Sequence, residues 1–280
     1  MTLQPSREWT IPGRGGIELF ARTWLPEGKP RDTLVIAHGY GEHGGRYGNV
    51  VGRLVPLGFA VYAIDHRGHG KSGGKRAIID RMAWVIDDLH GLVDQVRREQ
   101  SGGRVKLLGH SMGGAVAFGY ALRFPQDLSG LILSGPAIGG VVPKLQRVIL
   151  RVMSALAPGA GTIALPPEAI CRDPAVVAAY VADPLVTTGK VPARTVGEMI
   201  AAAGSYRSHA GAMQVPVLIQ HGTADALIPV DANRDIYAAI GAGDKTIKTY
   251  EVLSHEIYNE PEREEVLDDL VAWLDLHPAA

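Results

Sequence analysis

The sequence has 280 residues, of which 46% are hydrophobic and 20% are charged, a balance typical of a folded protein with a substantial core. The formal net charge of −1 argues against nucleic-acid binding, which depends on attraction between basic side chains and phosphates. The single cysteine, Cys171, excludes an intramolecular disulfide and a cysteine-rich metal site. The first ten residues lack the apolar stretch of a secretory signal, so we expect a cytoplasmic protein.

Short runs rich in β-branched residues alternate with helical patterns along most of the chain. The expected strands are residues 33–37, 59–64, 105–108, 131–133, 215–219 and 246–250, and the clearest helices are 85–96, 115–122 and about 261–276. This alternation is typical of right-handed βαβ crossovers. It predicts an α/β fold with a mostly parallel central sheet flanked by helices.

The rhythm of strands and helices breaks between residues 135 and 208. This stretch carries eight prolines and short helical patterns, and no part of it predicts a strand convincingly. We therefore expect one core domain, formed by residues 1–134 and 209–280, that is interrupted by a helical cap of residues 135–208.

One helix of the expected cap, residues 144–156, has an apolar and a basic face. Its apolar face is Leu145, Val148, Ile149, Val152, Met153 and Leu156, and its basic residues are Lys144, Arg147 and Arg151. Burial of the apolar face within the cap is one interpretation. The other is transient contact with a membrane or micelle surface, which would place the basic residues near anionic head groups.

The strongest chemical signal is Gly109-His110-Ser111-Met112-Gly113, which fits the G-x-S-x-G pattern of a nucleophile elbow. The pattern alone is weak in a chain with 35 glycines, but a predicted strand precedes it and a predicted helix follows it. Such a turn pushes a serine hydroxyl out above the sheet. We therefore predict Ser111 as a nucleophile, against the alternative of a glycine-rich turn without chemistry.

A nucleophilic serine needs a histidine base and an acid that orients the base. Asp225 stands just beyond a predicted strand and is the candidate acid, whereas nearby Asp231 follows a proline and looks like a helix N-cap. His255 lies in the loop before the C-terminal helix and is the candidate base. The alternatives are a turn-capping aspartate and a surface histidine.

A serine hydrolase also needs two N–H donors for the oxyanion of its tetrahedral intermediate. The residue after the nucleophile, Met112, supplies one candidate, and the glycine-rich loop after the first predicted strand supplies the other at Tyr40. Only the backbone of Tyr40 would matter for this role.

Two rival motifs and one rival class of protein compete with this interpretation. Gly39, Gly41 and Gly44 imitate a dinucleotide-binding fingerprint, but Glu42 would place a negative charge in the pyrophosphate cradle. The sequence Gly68-His69-Gly70-Lys71-Ser72 lacks the first glycine of a P-loop. A non-catalytic binding module on the same scaffold is the third alternative, and such modules usually lack one of the three catalytic side chains.

Three stretches together resemble the monoacylglycerol lipase family of the α/β-hydrolase superfamily. They are residues 38–47 (HGYGEHGGRY), 65–72 (DHRGHGKS) and 109–114 (GHSMGG), and residues 180–185 and 259–263 (NEPER) are similar to the cap and to bacterial members respectively. The resemblance implies an α/β-hydrolase fold, the catalytic triad Ser111, Asp225 and His255, and oxyanion donors at Tyr40 and Met112.

The resemblance further implies that Glu42, Arg46, His110 and Tyr180 line a polar pocket for a glycerol head group. Glu42 and Arg46 could instead form a structural ion pair, and Tyr180 could pack the cap. Tyr258 stands where animal members carry a second histidine. The implied activity is cleavage of monoacylglycerols to fatty acid and glycerol through an acyl-enzyme on Ser111, without metal or cofactor. A general carboxylesterase, and a lysophospholipase or acyltransferase, are the alternatives.

Overall fold

The computed structural model describes residues 3–140 and 142–278. The strands in these residues are β1 (Arg7–Pro12), β2 (Glu18–Trp24), β3 (Asp32–Ala37), β4 (Phe59–Ile64), β5 (Val105–His110), β6 (Leu128–Ser134), β7 (Gly161–Ala164), β8 (Lys190–Pro192), β9 (Val217–Gly222) and β10 (Lys245–Tyr250). The helices are α1 (Gly48–Leu54), α2 (Met82–Glu99), α3 (Met112–Arg123), α4 (Lys144–Leu156), α5 (Pro174–Ala182), α6 (Ala193–His209), α7 (Val230–Ala239) and α8 (Arg263–Leu276).

The main sheet has eight strands in the order β1-β2-β4-β3-β5-β6-β9-β10. The strands from β4 to β10 in this order pair in parallel, and β1 and β2 form an antiparallel hairpin beside β4. This arrangement confirms the predicted α/β fold. The hairpin was not predicted from the sequence, and all of its first strand except Ile11 is at least partly exposed.

The sheet lies between two layers of helices. Along β3, Leu34 and Ile36 pack toward α1 and α8, whereas Val35 and Ala37 pack toward α2 and α3. Because both faces are covered, β3 and β4 are buried at every residue, and apart from Asp32 and Thr33 at the start of β3 they are apolar runs. The last strand, β10, lies at an edge, and its lysines and threonines are partly or fully exposed.

The segment between β6 and β9 holds α4, β7, α5, β8 and α6. The expectation of no strand there is wrong, since β7 and β8 pair antiparallel; each is only three or four residues long, which is too short for a clear alternating pattern. The last helix, α6, packs against α3, with the rings of Tyr206 and Phe118 5.3 Å apart. The division into core and cap domains stays a prediction.

Helix α4 turns its apolar face away from the protein. Leu145 and Leu156 are 71% and 82% exposed, and Val148, Ile149 and Val152 are about half exposed. The opposite side packs against α6, where Ser154 lies beside Gly197. The interpretation that the apolar face of α4 is buried within the cap is therefore wrong. None of the helices in the described residues is long and apolar enough to cross a bilayer.

Asp231 does not cap a helix, contrary to the prediction. Helix α7 begins at Val230, one residue before Asp231, so the N-cap position falls on Pro229 and Asp231 lies in the first turn. There its carboxylate accepts a hydrogen bond from Arg234 and faces the positive end of the helix dipole.

Candidate active site

Ser111 occupies a strained turn between β5 and α3. Its φ and ψ are 53° and −118°, a region that residues other than glycine rarely adopt. The turn requires Gly113, because a Cβ there would lie 2.0 Å from the carbonyl oxygen of Ala37 in β3. The start of α3 therefore lies close to the end of β3, and Ser111 lies at the carboxyl edge of the sheet, where α/β folds bind ligands.

Asp225 and His255 form a buried pair at the same edge. His255 Nδ1 donates to Asp225 Oδ2 over 2.6 Å, and Asp225 Oδ1 accepts from the backbone N–H groups of Leu227 and Ile228, both at 2.9 Å. Burial opposes ionisation of Asp225, but hydrogen bonds from His221 and His255 outweigh it and hold the pKa of this carboxyl well below its usual range. Asp225 is therefore ionised and fixed.

Ser111 and His255 line one cavity together with Tyr40 and Leu227. Because His255 Nδ1 is occupied by Asp225, its Nε2 is the nitrogen left to accept a proton. The Ser111 hydroxyl takes part in none of the hydrogen bonds between described side chains, and catalytic contacts are often longer in unliganded enzymes. A later histidine, His277, contacts Asp244 and the Trp273 carbonyl and takes no part in this cavity.

The loop after β3 carries Tyr40, the second candidate oxyanion donor. The Gly39 N–H donates to Glu42 Oε1 over 2.7 Å, which holds the first part of the loop in place. The Gly41 carbonyl accepts a hydrogen bond from Thr187 N over 2.7 Å, so the inserted segment, which is the chain between β6 and β9, also contacts this loop. Met112, the other candidate, is the first residue of α3, where an N–H has no acceptor within the helix.

Glu42 and Arg46 form the ion pair that was one of the two interpretations. Arg46 Nη1 donates to Glu42 Oε2 over 2.8 Å and also binds Glu256 with both amino groups, at 2.6 and 2.9 Å. The guanidinium lies over the ring of Tyr180, 4.6 Å from its centre. Tyr47 donates to the remaining oxygen of Glu42 over 2.8 Å. Both carboxylate oxygens of Glu42 therefore already have partners.

Two small cavities meet at this ion pair. One, of about 40 Å³, contains Ser111 and His255, and the other, of about 20 Å³, contains Arg46 and Tyr258; Glu42, His110 and Glu256 line both. Burial, together with the neighbouring His255, lowers the pKa of His110 to about 3, so this ring is neutral. Of the four residues predicted for a head-group pocket, Glu42, His110 and Tyr180 line the cavity of Ser111, whereas Arg46 lines only the neighbouring cavity.

Two functional neighbours were not predicted from the sequence. Glu256 directly follows His255, which is the only signal that could have indicated it. His221 lies in β9 with its Nε2 2.8 Å from the Ile228 carbonyl oxygen and 3.2 Å from Asp225 Oδ2. Asn233 donates to both the Pro136 carbonyl and His221 Nδ1, so the proton of His221 must sit on Nε2, facing Asp225.

A larger, mainly apolar cavity of about 450 Å³ opens from Ser111 and Tyr40 into the inserted segment. Its apolar walls include Ile163, Leu165, Val191, Val196 and Met199. No group of three or more His, Cys, Asp or Glu side chains within residues 3–140 and 142–278 is arranged to hold a metal ion.

The strained serine, the histidine and aspartate pair and the eight-stranded sheet define a serine hydrolase of the α/β-hydrolase fold. The sequence model of the family described as serine aminopeptidase, S33, matches residues 28–262. A monoacylglycerol lipase from Mycolicibacterium smegmatis is 41% identical over 96% of this chain and 97% of its own. The chain belongs to this serine hydrolase family and, within it, to the monoacylglycerol lipases, as the resemblance predicted.

Solved structures agree with this assignment. The crystal structure of Paleococcus ferrophilus monoacylglycerol lipase is 31% identical, covers 93% of this chain and 99% of its own, and superposes with a TM-score of 0.82. A soluble variant of the monoglyceride lipase from Saccharomyces cerevisiae, in complex with a substrate analogue, superposes with a TM-score of 0.87 over 99% of this chain and 97% of its own. At 22% identity, this second match supports the fold alone.

Proposed function

We propose that this protein is a monoacylglycerol lipase that releases a fatty acid and glycerol through an acyl-enzyme on Ser111. The observation that carries the proposal is that Ser111 lines both a small cavity that reaches Glu42, His110 and Tyr180 and a larger, mainly apolar one. An ester with one acyl chain and one polar alcohol fits such a pair of cavities. The 41% identical relative named for this activity supports the same substrate class.

The mechanism follows from the geometry of the triad. His255 Nε2 accepts the Ser111 hydroxyl proton as Oγ attacks the ester carbonyl carbon, and Asp225 stabilises the resulting imidazolium. The N–H groups of Tyr40 and Met112 donate to the oxyanion. The carbon–oxygen bond to glycerol then breaks, and glycerol leaves with the proton from His255. Water repeats the cycle on the acyl-enzyme, with His255 again as base, and releases the fatty acid.

The polar side chains of the two small cavities supply selectivity for the head group. Glu42, Arg46, His110 and Tyr180 would contact the two free hydroxyls of a monoacylglycerol. Glu42 and Arg46 are already paired within the protein, but the Tyr180 hydroxyl and His110 Nε2 make no hydrogen bond to other described residues. A triacylglycerol would bury these two polar groups against further acyl chains, at a cost of about 1–3 kcal/mol for each group left without a partner. The apolar cavity favours medium or long chains, because each buried CH₂ contributes about 0.8 kcal/mol.

The outward face of α4 supports binding at a lipid surface, where such substrates reside. Leu145, Val148, Ile149, Val152 and Leu156 form one exposed apolar stripe on this helix. Lys144 and Arg151 lie outside the stripe and are also exposed. A helix with this arrangement can insert its apolar side at the interface while its cations meet anionic head groups.

The test compares a monoacylglycerol and a triacylglycerol of the same chain length in the same mixed micelles. We expect kcat/KM to be at least about tenfold higher for the monoacylglycerol, since two unpaired polar groups together cost about 2 kcal/mol or more and about 1.4 kcal/mol is tenfold. Ser111→Ala should stay folded, lose almost all activity and escape labelling by a fluorophosphonate probe that labels the wild type. Equal or faster triacylglycerol turnover would contradict the head-group selectivity, and faster turnover of lysophospholipids would indicate the alternative substrate class.

A further inference from the structure

Glu260 is a buried carboxylate that the triad mechanism does not use. It belongs to the NEPER segment, residues 259–263, and its side chain is 0% exposed. Its Oε1 accepts from Ser254 N over 3.1 Å and from Arg172 N over 3.0 Å, and its Oε2 accepts from Arg172 Nε over 2.8 Å. One carboxylate therefore joins the loop that carries His255 to the inserted segment.

A second set of contacts joins the same two pieces of chain. The Glu256 N–H donates to the Ile170 carbonyl over 2.7 Å, and the Cys171 thiol donates to the Asn259 carbonyl over 3.4 Å. The two neighbours of His255 are thus both connected to the inserted segment through their N–H groups. Ser254 is connected through Glu260, and Glu256 is connected directly.

The segment Ile170–Arg172 is also part of the active-site wall. Ile170 lines the cavity of Ser111 and His255, beside Tyr180 and Leu165. Movement of this segment would therefore change the cavity and, through Glu260 and Glu256, the backbone on both sides of the catalytic base. A base displaced by even a fraction of an ångström loses alignment with its nucleophile.

We propose that Glu260 is a positioning residue that couples the seating of the segment Ile170–Arg172 to the alignment of His255. The inference rests on the proposed role of His255 as base. His255 is aligned for catalysis only while the segment Ile170–Arg172 is docked against the loop that carries it. Glu260 holds this arrangement because a buried carboxylate with three N–H partners strongly resists separation from them.

The test uses Glu260→Gln, with Glu262→Gln as its matched control. Glu262 also binds Arg172 through a carboxylate oxygen, but its side chain is 45% exposed and has no contact with Ser254. We expect Glu260→Gln to lower kcat by about tenfold, both for a monoacylglycerol and for a short water-soluble ester, because the base is misaligned for every substrate. Glu262→Gln should stay within about twofold of the wild type.

The rate of fluorophosphonate labelling separates this role from a merely structural one. Glu260→Gln should be labelled several-fold more slowly at temperatures where circular dichroism reports a folded protein. A lower melting temperature with unchanged kcat and labelling rate would overturn the proposal. So would a change confined to the KM of long-chain substrates, which would make Glu260 an anchor of the acyl cavity alone.

A third variant tests the coupling itself. Arg172→Met removes the side-chain link from the inserted segment to Glu260 and keeps the links from the backbone N–H groups of Arg172 and Ser254, so we expect kcat to fall in the same direction by a smaller factor. Unchanged kcat in Arg172→Met would overturn the part of the coupling that is assigned to the Arg172 side chain. These outcomes are distinct from failure of the proposed function, which would appear as a wild-type protein that the probe does not label at Ser111.

Discussion

Gly135 lies behind the catalytic hydrogen bond, and its replacement by alanine tests the triad geometry. A Cβ at this position would lie 3.2 Å from His255 Nδ1 and 3.3 Å from Asp225 Oδ2, tighter than most side-chain contacts. The two groups, now 2.6 Å apart, would have to give by a few tenths of an ångström. Since a misplacement of 1 Å can cost about 100-fold in rate, we expect kcat to fall by about tenfold in Gly135→Ala.

The backbone at Gly135 adds a separate cost that needs its own control. Its φ of +47° penalises alanine by about 1–2 kcal/mol of stability. Gly28 has a comparable φ of +76°, and a Cβ added there would meet no atom within 4 Å, so Gly28→Ala carries the backbone cost alone. Urea unfolding and steady-state kinetics on a soluble ester should show both variants destabilised and only Gly135→Ala slowed. Wild-type kcat in a folded Gly135→Ala protein would refute the geometry.

Two further predictions concern the lipid surface and acid stability. A variant with both Leu145→Gln and Leu156→Gln should reduce co-sedimentation with anionic phospholipid vesicles by at least about fivefold. The control is Leu276→Gln, which replaces a similarly exposed leucine on α8 and should leave binding unchanged. Equal binding by the wild type, the double variant and the control would contradict contact through α4. Burial lowers the pKa of His66 to about 3 and of His69 to about 4. Below about pH 6.5 these rings therefore bind protons in the unfolded chain but not in the folded one. A shift from pH 7 to 5 should cost about 2 kcal/mol of unfolding free energy for each ring. Urea titrations should show that His66→Phe reduces the loss by about 2 kcal/mol, and an identical loss in the variant would exclude His66 as a source.

The fold and the reactive residues could be predicted because their signals are local. Parallel strands such as β3 and β4 are buried on both faces and appear as largely apolar runs, and the elbow around Ser111 needs glycines at fixed positions. Asp225 and His255 follow directly after β9 and β10, so chain order and strand ends were enough to select them. Their roles as catalytic residues stay predictions until the variants are measured.

The remaining features depend on contacts between distant parts of the chain. Arg46 meets Glu256 across 210 residues of sequence, and no local pattern predicts that pairing. The amphipathic pattern of α4 correctly groups the residues that share a face, but it says nothing about whether that face turns toward α6 or toward solvent. The hairpin of β1 and β2 was missed because β1 is largely exposed and lacks a continuous apolar run.

The ion pair of Glu42 and Arg46 shows why structural and substrate-binding roles need not compete. Glu42 fixes the Gly39 N–H beside the oxyanion loop, Arg46 fixes Glu256 beside the catalytic base, and the two side chains are joined to each other. One guanidinium therefore links the loop that carries Tyr40 to the residue that follows the base. A head group that contacted this pair would sit against the same atoms that align the reaction, so head-group recognition would act on kcat as well as on KM.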